Sequence, residues 1–203
     1  MKPLDLLVGR EDKIALVGPL HNLKTAFFEA IMSDPLPAGI QWGQTITTSY
    51  FPKENADFFN NELNMIDWLR QYSPVVDESY VRGFLGRMLF SGEESLKLVK
   101  VLSGGEKVRC MLSRLMLSGA NTLILDEPTN HLDLESITAL QDGLNEFKGV
   151  VIFNCHDHEF TQGVANRIIE FTPNGLIDRQ TSFDEYLVDP KVKALREELW
   201  GKG

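Results

Sequence analysis

The stretch "GPLHNLKT" follows a short apolar run and carries Gly18, Lys24 and Thr25 at the spacing of a phosphate-binding loop. In the pattern G-x-x-x-x-G-K-[ST], backbone N–H groups surround the phosphates, the lysine reaches the far end of the phosphate chain and the hydroxyl binds Mg²⁺. Leu23 stands in place of the second glycine, and the intervening residues "PLHN" include no glycine, the residue that tolerates positive φ. The spacing indicates a phosphate site, but the composition equally suits a strand-to-helix connection without a ligand.

Two adjacent carboxylates, Asp126 and Glu127, end another apolar run in the stretch "LILDEPTNHLD". In open α/β sheets, ligands bind beyond the carboxyl ends of the strands, which is where these residues fall. Asp126 could hold Mg²⁺ through its water shell, and Glu127 could orient or deprotonate a water that attacks a γ-phosphate. The alternative is that both residues only cap the helix that follows, but the proline and the "TNHLD" after them argue against it.

The stretch "LSGGEK" places Ser103, Gly104 and Gly105 immediately before an amphipathic helical pattern. Free N–H groups and the helix dipole make such a terminus a site for anions. An ordinary helix cap is the alternative, with Ser103 as the N-cap and Glu106 at the third helical position. A cap does not require the second glycine, so the motif favours a function at this helix start.

His156, in the stretch "NCHDHEF", follows a further apolar run. From that position its imidazole could hydrogen-bond a γ-phosphate or the attacking water. His156 and His158 together could also indicate a zinc site, but no second cluster of metal ligands accompanies them in the sequence. We therefore interpret His156 as a phosphate sensor.

The hydrophobic pattern predicts the elements that position these motifs. Short apolar runs rich in β-branched residues predict strands at 13–18, 121–126, 149–155 and 167–172, each buried on both faces. Apolar residues three and four apart predict helices between the later runs: Val108, Met111, Leu112, Leu115, Met116, Ile137, Leu140 and Leu144. Strands that alternate with helices predict an α/β fold with a parallel sheet flanked by helices.

The segment between residues 36 and 100 departs from this alternation. "TITTSYF" indicates an edge strand, and "ELNMIDWLRQY" and "ESYVRGFLGRMLF" indicate helices. We expect one domain over residues 1–189 with an inserted helical lobe at about 58–118. A charged tail at 190–203 should follow as a short helix that frays.

The composition limits the classes of protein. The chain has 203 residues and a formal net charge of −9, which argues against autonomous binding to a nucleic-acid backbone. No apolar stretch approaches the roughly 20 residues needed to span a bilayer, so we predict no insertion in a membrane. The N-terminus lacks the pattern of a secretory signal, and Cys110 and Cys155 fit core positions, which favours the reducing cytoplasm.

Taken in order, "GPLHNLKT", "LSGGEK", "LILDEPT", "NHLD" and "CHD" resemble the complete motif series of an ABC-type nucleotide-binding domain. They correspond to its Walker A, signature, Walker B, D-loop and switch histidine. "LSGGEKVR" and "NHLD" are similar to those of the ABC-F proteins, cytoplasmic ATPases with two cassettes in one chain that act on ribosomes. "YFPKENADFF", "DWLRQYSP" and "VRGFLGRMLFSGEE" resemble the second, C-terminal cassette of the YbiT-like group, and the similarity covers nearly the whole chain.

This resemblance implies ATP and Mg²⁺ as cofactors and a role for each motif residue. Glu127 would be the catalytic base and His156 the switch. Lys24 would contact the β- and γ-phosphates, while Thr25 and Asp126 would serve Mg²⁺. The signature residues would act on the ATP of a second cassette, because in this family two cassettes close head to tail. The nucleotide-binding residues implied in this way are Gly18, Asn22, Lys24, Thr25, Lys53, Ser103, Gly104, Gly105 and Asp126.

The chain departs from the family pattern at three places. Leu23 puts a β-carbon close to where phosphate should lie, so we expect the backbone of this degenerate Walker A to be strained or displaced from the anion-binding shape. Lys53 stands where many cassettes have glutamine. The sequence also begins shortly before the loop and includes neither a first cassette nor a linker between cassettes, so we expect a fragment or a divergent remnant.

Two functions from different classes follow from the motifs. The first is an ATP-hydrolysing ABC-F cassette that serves translation on the ribosome with a second cassette, in the same chain or as a homodimer, and Glu127 and His156 favour it. The second is a non-hydrolysing interaction module that offers its signature surface to a partner cassette, and Leu23 favours it. "NHLD" and "EKVR" disfavour a third alternative, the ATPase subunit of a membrane transporter.

Overall fold

Six strands form one sheet in the computed structural model, which describes residues 7–200. They are β1 (Lys13–Val17), β2 (Thr48–Phe51), β3 (Thr122–Asp126), β4 (Val150–Asn154), β5 (Arg167–Thr172) and β6 (Gly175–Arg179). The spatial order is β2-β3-β4-β1-β5-β6, in which β1 to β5 run parallel and β6 pairs antiparallel with β5. The predicted α/β fold is confirmed, and "TITTSYF" supplies the edge strand β2.

Eight α-helices flank the strands within the same range of the chain. They are α1 (His21–Met32), α2 (Met65–Arg70), α3 (Glu78–Arg87), α4 (Gly104–Leu117), α5 (Leu134–Glu146), α6 (His158–Val164), α7 (Phe183–Val188) and α8 (Pro190–Leu199). None of the helices in residues 7–200 has the length and apolar character needed to cross a membrane.

Helices on both sides of the sheet explain why its central strands are apolar throughout. Side chains of a strand alternate between the two faces, so each strand contributes to two core clusters. On β1, Ile14 and Leu16 join a cluster with Phe28 of α1. Ala15 joins the larger cluster on the other face, which includes Trp68 of α2. The strand ends that carry the motifs are therefore held by packing on both faces.

The segment between β2 and β3 folds around Trp68, which is fully buried. The indole N–H of Trp68 donates to the carbonyl oxygen of Phe58 at 2.9 Å, and its ring stacks on Phe59 with 5.0 Å between centroids. Asn64 and Asp77 begin α2 and α3 as N-caps, because their side chains accept backbone N–H groups of the first helical turn. The helices predicted in this segment form, while the lobe boundaries at 58–118 stay a prediction.

The C-terminal part contains β6, a strand that the sequence did not predict, and the expected helix α8. Helix α8 packs on the domain: Val192 is buried, and Arg196 forms an ion pair of 2.7 Å with the buried Glu170 of β5. Trp200 also donates its indole N–H to Glu170, at 3.3 Å. These contacts join the end of the described chain to β5, the neighbour of β1.

Candidate functional site

The carboxyl ends of β3, β4 and β1 meet at one edge of the sheet, because these strands are parallel neighbours in that order. Gly18 follows β1, Asp126 ends β3, and Asn154 ends β4 directly opposite Asp126. The fold therefore brings the Walker A, Walker B and switch-histidine segments together, although they are far apart in sequence.

The Walker A segment forms a short turn followed directly by α1. Gly18 has a φ of 97°, and a β-carbon there would lie 3.0 Å from Cγ of Glu170, so this position requires glycine. Helix α1 begins at His21, and the N–H groups of Leu23 and Lys24 donate to the carbonyl oxygen of Leu20 at 3.1 and 3.2 Å. These two N–H groups therefore serve the first helical turn instead of pointing at a phosphate. The departure of this segment from the anion-binding shape stays a prediction.

Lys24 lies buried beside the two carboxylates of the Walker B motif. Only 3% of Lys24 is exposed. Burial lowers the pKa of Lys24, and the negative charges of Glu127 and Asp126 oppose that shift. Both carboxylate oxygens of Asp126 and Oε2 of Glu127 are buried without a hydrogen-bond partner among residues 7–200. Buried carboxylate oxygens without partners are costly unless a cation or water is bound, so this cluster fits a cation.

The donor set also fits Mg²⁺ bound together with a nucleotide. In the described part of the chain, no group of three or more His, Cys, Asp or Glu side chains could hold a metal ion by itself. Mg²⁺ is usually held by one or two carboxylates, with phosphate oxygens and waters as the other ligands. Asp126 supplies such a carboxylate, and the hydroxyl of Thr25, on α1 next to Lys24, stays the predicted second oxygen ligand.

Glu127 and His156 are in direct contact. Nε2 of His156 lies 3.0 Å from Oε1 of Glu127, and the backbone N–H of Glu127 donates to Asn154. A third contact joins the same two segments, since Sγ of Cys155 lies 3.1 Å from Oγ1 of Thr129. Burial raises the pKa of Cys155 to about 11, so this thiol is neutral at physiological pH. The Walker B and switch segments are thus linked by three contacts.

The signature residues lie at the start of α4, where both interpretations of "LSGGEK" find support. Ser103 is the N-cap: its Oγ accepts the N–H of Glu106 at 3.3 Å, and Oε2 of Glu106 accepts the N–H of Ser103 at 2.8 Å. The second glycine, Gly105, is needed for a separate reason. A β-carbon on Gly105 would lie 2.9 Å from the carbonyl oxygen of His131, so the "NHLD" segment passes too close for a side chain. Ser103 and Gly104 are exposed.

The remaining residues that the sequence singled out lie at exposed positions or have partners of their own. Asn22 is exposed in the first turn of α1, and Lys53 is exposed after β2. Nε2 of His158 lies 3.0 Å from Oδ1 of Asp184 on α7. Asn154 was missed, because its position opposite Asp126 depends on strand register, which the sequence motif "NCHD" does not reveal.

Comparison with known proteins identifies the family. The sequence profile of the ABC transporter family matches residues 1–130, more than half of the chain. The chain therefore belongs to this family, and the site described above is that of an ATP-binding cassette. The family assignment confirms the resemblance to an ABC-type nucleotide-binding domain, while the assignment to a second, C-terminal cassette stays a prediction.

Several relatives align over nearly the whole chain. The ABC transporter ATP-binding protein YkpA of Bacillus subtilis (strain 168) is 56% identical over 204 residues, which cover 98% of this chain and 38% of YkpA. The ATP-binding protein YbiT of Escherichia coli O157:H7 is 38% identical over 92% of this chain and 36% of YbiT. ABC transporter F family member 2 of Arabidopsis thaliana is 31% identical over 96% of this chain and 29% of the relative. The chain thus spans well under half the length of each.

Solved structures share the fold. The archaeal ribosome recycling factor aABCE1, in complex with the ribosomal stalk protein aP1, matches with a TM-score of 0.71 and 21% identity over 90% of this chain and 39% of that chain. The RNase-L Inhibitor matches with a TM-score of 0.72 and 21% identity over 94% of this chain and 37% of that chain. At this identity the likeness shows the fold alone, which is that of ABC ATPase cassettes.

Proposed function

We propose that this chain is the second cassette of an ABC-F type protein and that it hydrolyses ATP to ADP and phosphate when another cassette completes its site. The observation that carries this proposal is the 3.0 Å contact between Nε2 of His156 and Oε1 of Glu127, beside a buried Asp126 whose oxygens have no hydrogen-bond partner in the described residues. A carboxylate base oriented by an imidazole, next to a cation site, suits the activation of a water for attack on phosphate.

The roles of the side chains follow from their partners. Oε1 of Glu127 is held by His156, so Oε2 is the oxygen that takes the proton of the attacking water. As the water oxygen bonds to the γ-phosphorus, the bond to the bridging oxygen breaks and ADP leaves. Lys24 adds a positive charge close to the carboxylates, which favours binding of the phosphates. Mg²⁺, held by Asp126 and Thr25, would neutralise phosphate charge.

The signature surface requires a partner cassette. Ser103 and Gly104 are exposed at the start of α4, where helix N–H groups favour an anion. We propose that they contact the ATP of a second cassette, which lies in the same longer chain or in a second copy. We also propose a cytoplasmic location and a role in translation on the ribosome, supported by the F family relatives and by the fold shared with a ribosome recycling factor.

One observation favours a second candidate function, a non-hydrolysing interaction module. Helix α1 begins at His21, and the N–H groups of Leu23 and Lys24 are hydrogen-bonded to Leu20. A Walker A segment in this form has lost backbone donors that would otherwise hold phosphate. Such a cassette would still present its signature surface to a partner.

Two measurements together distinguish these two candidate functions. One is the equilibrium binding of a fluorescent ATP analogue, with and without Mg²⁺. The other is the release of phosphate from ATP at the same protein concentrations. Binding that depends on Mg²⁺, together with phosphate release that rises with protein concentration, is the result expected for a hydrolysing cassette that pairs with a second copy. Binding without phosphate release, or no binding at any concentration, contradicts the proposal and leaves the interaction module.

A further inference from the structure

The backbone of Glu127 adopts a conformation that its position in the sequence disfavours. Its φ angle is 53°, in the left-handed region that residues with a β-carbon rarely enter. The next residue is Pro128, and a residue before proline favours an extended backbone instead. Contacts from the surrounding structure must therefore hold Glu127 in place.

Asn154, the last residue of β4, supplies these contacts. The N–H of Glu127 lies 2.8 Å from Oδ1 of Asn154 and 3.2 Å from its carbonyl oxygen, so both oxygens accept it. Asn154 is 2% exposed and pairs in register with Asp126. The carbonyl oxygen of Asn154 continues the backbone hydrogen bonds between β3 and β4, and any residue at this position could supply that acceptor. The side-chain oxygen is a second, shorter acceptor that an apolar residue could not provide.

We infer that Asn154 is a positioning residue that holds Glu127 in the orientation in which its carboxylate meets His156. The inference rests on the proposed function, because this orientation matters for turnover only if Glu127 is the base. With the backbone held, Oε1 of Glu127 lies 3.0 Å from Nε2 of His156, and Oε2 remains buried without a hydrogen-bond partner in the described residues. Without the amide of Asn154, Glu127 relaxes toward the extended backbone that Pro128 favours, and its carboxylate moves away from His156.

A purely structural role for Asn154 is the alternative, and the chain offers a matched control for it. Oδ1 of Asn166 accepts the backbone N–H of Lys13 at 2.8 Å. Lys13 is the first residue of β1, so this bond lies at the opposite edge of the same sheet. Asn166→Ala removes the same kind of bond from a strand end without reaching the catalytic edge.

The test compares Asn154→Ala with Asn166→Ala by ATP turnover and by NMR signals of the Glu127 amide and the His156 ring. In Asn154→Ala we expect kcat to fall about tenfold or more, with KM changed less than about twofold, because a misplaced catalytic group slows the reaction more than it weakens binding. The Glu127 and His156 signals should shift. Asn166→Ala should leave kcat and both signals in place, although each variant lowers the melting temperature.

The inference is overturned if kcat in Asn154→Ala equals that of the parent, or if both variants lose turnover equally. If the parent itself shows no turnover, the proposed function fails separately and the NMR signals decide. His156 ring signals that stay in place in Asn154→Ala then overturn the inference, whereas a shift confined to that variant supports it. Asn154→Val fills a similar volume with a residue that favours strands, and it replaces Asn154→Ala if the alanine variant does not fold.

Discussion

The side chain of Glu127 is 4% exposed and that of His156 is 64% exposed, yet Oε1 of Glu127 lies 3.0 Å from Nε2 of His156. The contact joins a buried carboxylate to a ring that is open to solvent. Glu127 follows β3 and His156 follows β4, so the pairing of these two strands creates the contact. A nucleotide or partner that moves the exposed ring would therefore also act on the buried carboxylate.

Glu127→Gln should abolish hydrolysis while it preserves nucleotide binding. The neutral amide can keep a hydrogen bond to water but cannot accept its proton, so we expect turnover to fall about 100-fold or more. Phosphate release and binding of a fluorescent ATP analogue measure the two effects. Glu135→Gln, which removes an exposed carboxylate in the first turn of α5, is the matched control and should change neither. Full turnover in Glu127→Gln would exclude Glu127 as the base.

His156→Ala should lower turnover with little effect on folding. The ring is mostly exposed, so its removal should change the free energy of unfolding by less than about 0.5 kcal/mol. Because the ring orients Glu127, we expect kcat to fall about tenfold. Urea denaturation and phosphate release separate these effects. A loss of stability without a change in kcat would mean that His156 is structural.

Gly105→Ala should destabilise the protein, whereas Gly104→Ala should not. A β-carbon at Gly105 would lie 2.9 Å from the carbonyl oxygen of His131, while one at Gly104 would meet nothing nearer than Cβ of His131 at 3.8 Å. We expect a cost of about 1–3 kcal/mol for Gly105→Ala, the range for overpacking. Gly104→Ala should stay within about 0.5 kcal/mol of the parent. Equal urea midpoints for the two variants would contradict the close approach of the "NHLD" segment.

The strands β1, β3, β4 and β5 could be predicted from sequence because strands buried on both faces are apolar throughout. Strand β6 was missed, since "GLIDR" is short, partly polar and pairs antiparallel at the sheet edge. The candidate site was predictable as a set of motifs. Two features of the site could not be predicted from sequence. The start of α1 at His21 depends on the competition between a helix and an anion-binding turn. The contact of Glu127 with Asn154 depends on strand register.

Lys13 should make stability depend on pH. Its Nζ donates to the carbonyl oxygens of Phe147 and Gly149 at 2.7 and 2.8 Å, in a site where 7% of Lys13 is exposed. Burial lowers the pKa of Lys13 from 10.5 to about 8. Between these values the unfolded chain binds the proton and the folded chain does not, so the free energy of unfolding rises with pH.

Comparison with Lys13→Met isolates this effect from that of other titrating groups. One pKa unit corresponds to about 1.4 kcal/mol. From pH 8 to pH 10, we therefore expect the free energy of unfolding of the parent to rise by about 1–3 kcal/mol more than that of Lys13→Met. Urea denaturation at several pH values measures it. A difference that stays constant over this range would show that Lys13 keeps its ordinary pKa in the folded protein.

Leu23→Gly should tighten ATP binding. Leu23 is held in the first turn of α1 by its N–H bond to Leu20, and its side chain packs against the core cluster around α1. Glycine removes the side chain and permits the positive φ angles of an anion-binding turn. We expect the affinity for ATP to rise at least tenfold, and a tenfold rise corresponds to about 1.4 kcal/mol.

The opposing effect of Leu23→Gly is a loss of stability of about 1 kcal/mol from glycine within a helix, in addition to the lost packing. Ala26→Gly is the matched control, because Ala26 is exposed in the same helix and carries the same backbone cost without a place in the phosphate pattern. Melting temperatures without ATP and affinities with ATP separate the two effects. Tighter binding in Leu23→Gly alone would show that the side chain obstructs the phosphate site. If the parent already binds ATP tightly and Leu23→Gly binds it no better, the turn of the parent is competent to bind phosphate. If neither protein binds ATP, the interaction module is the remaining function.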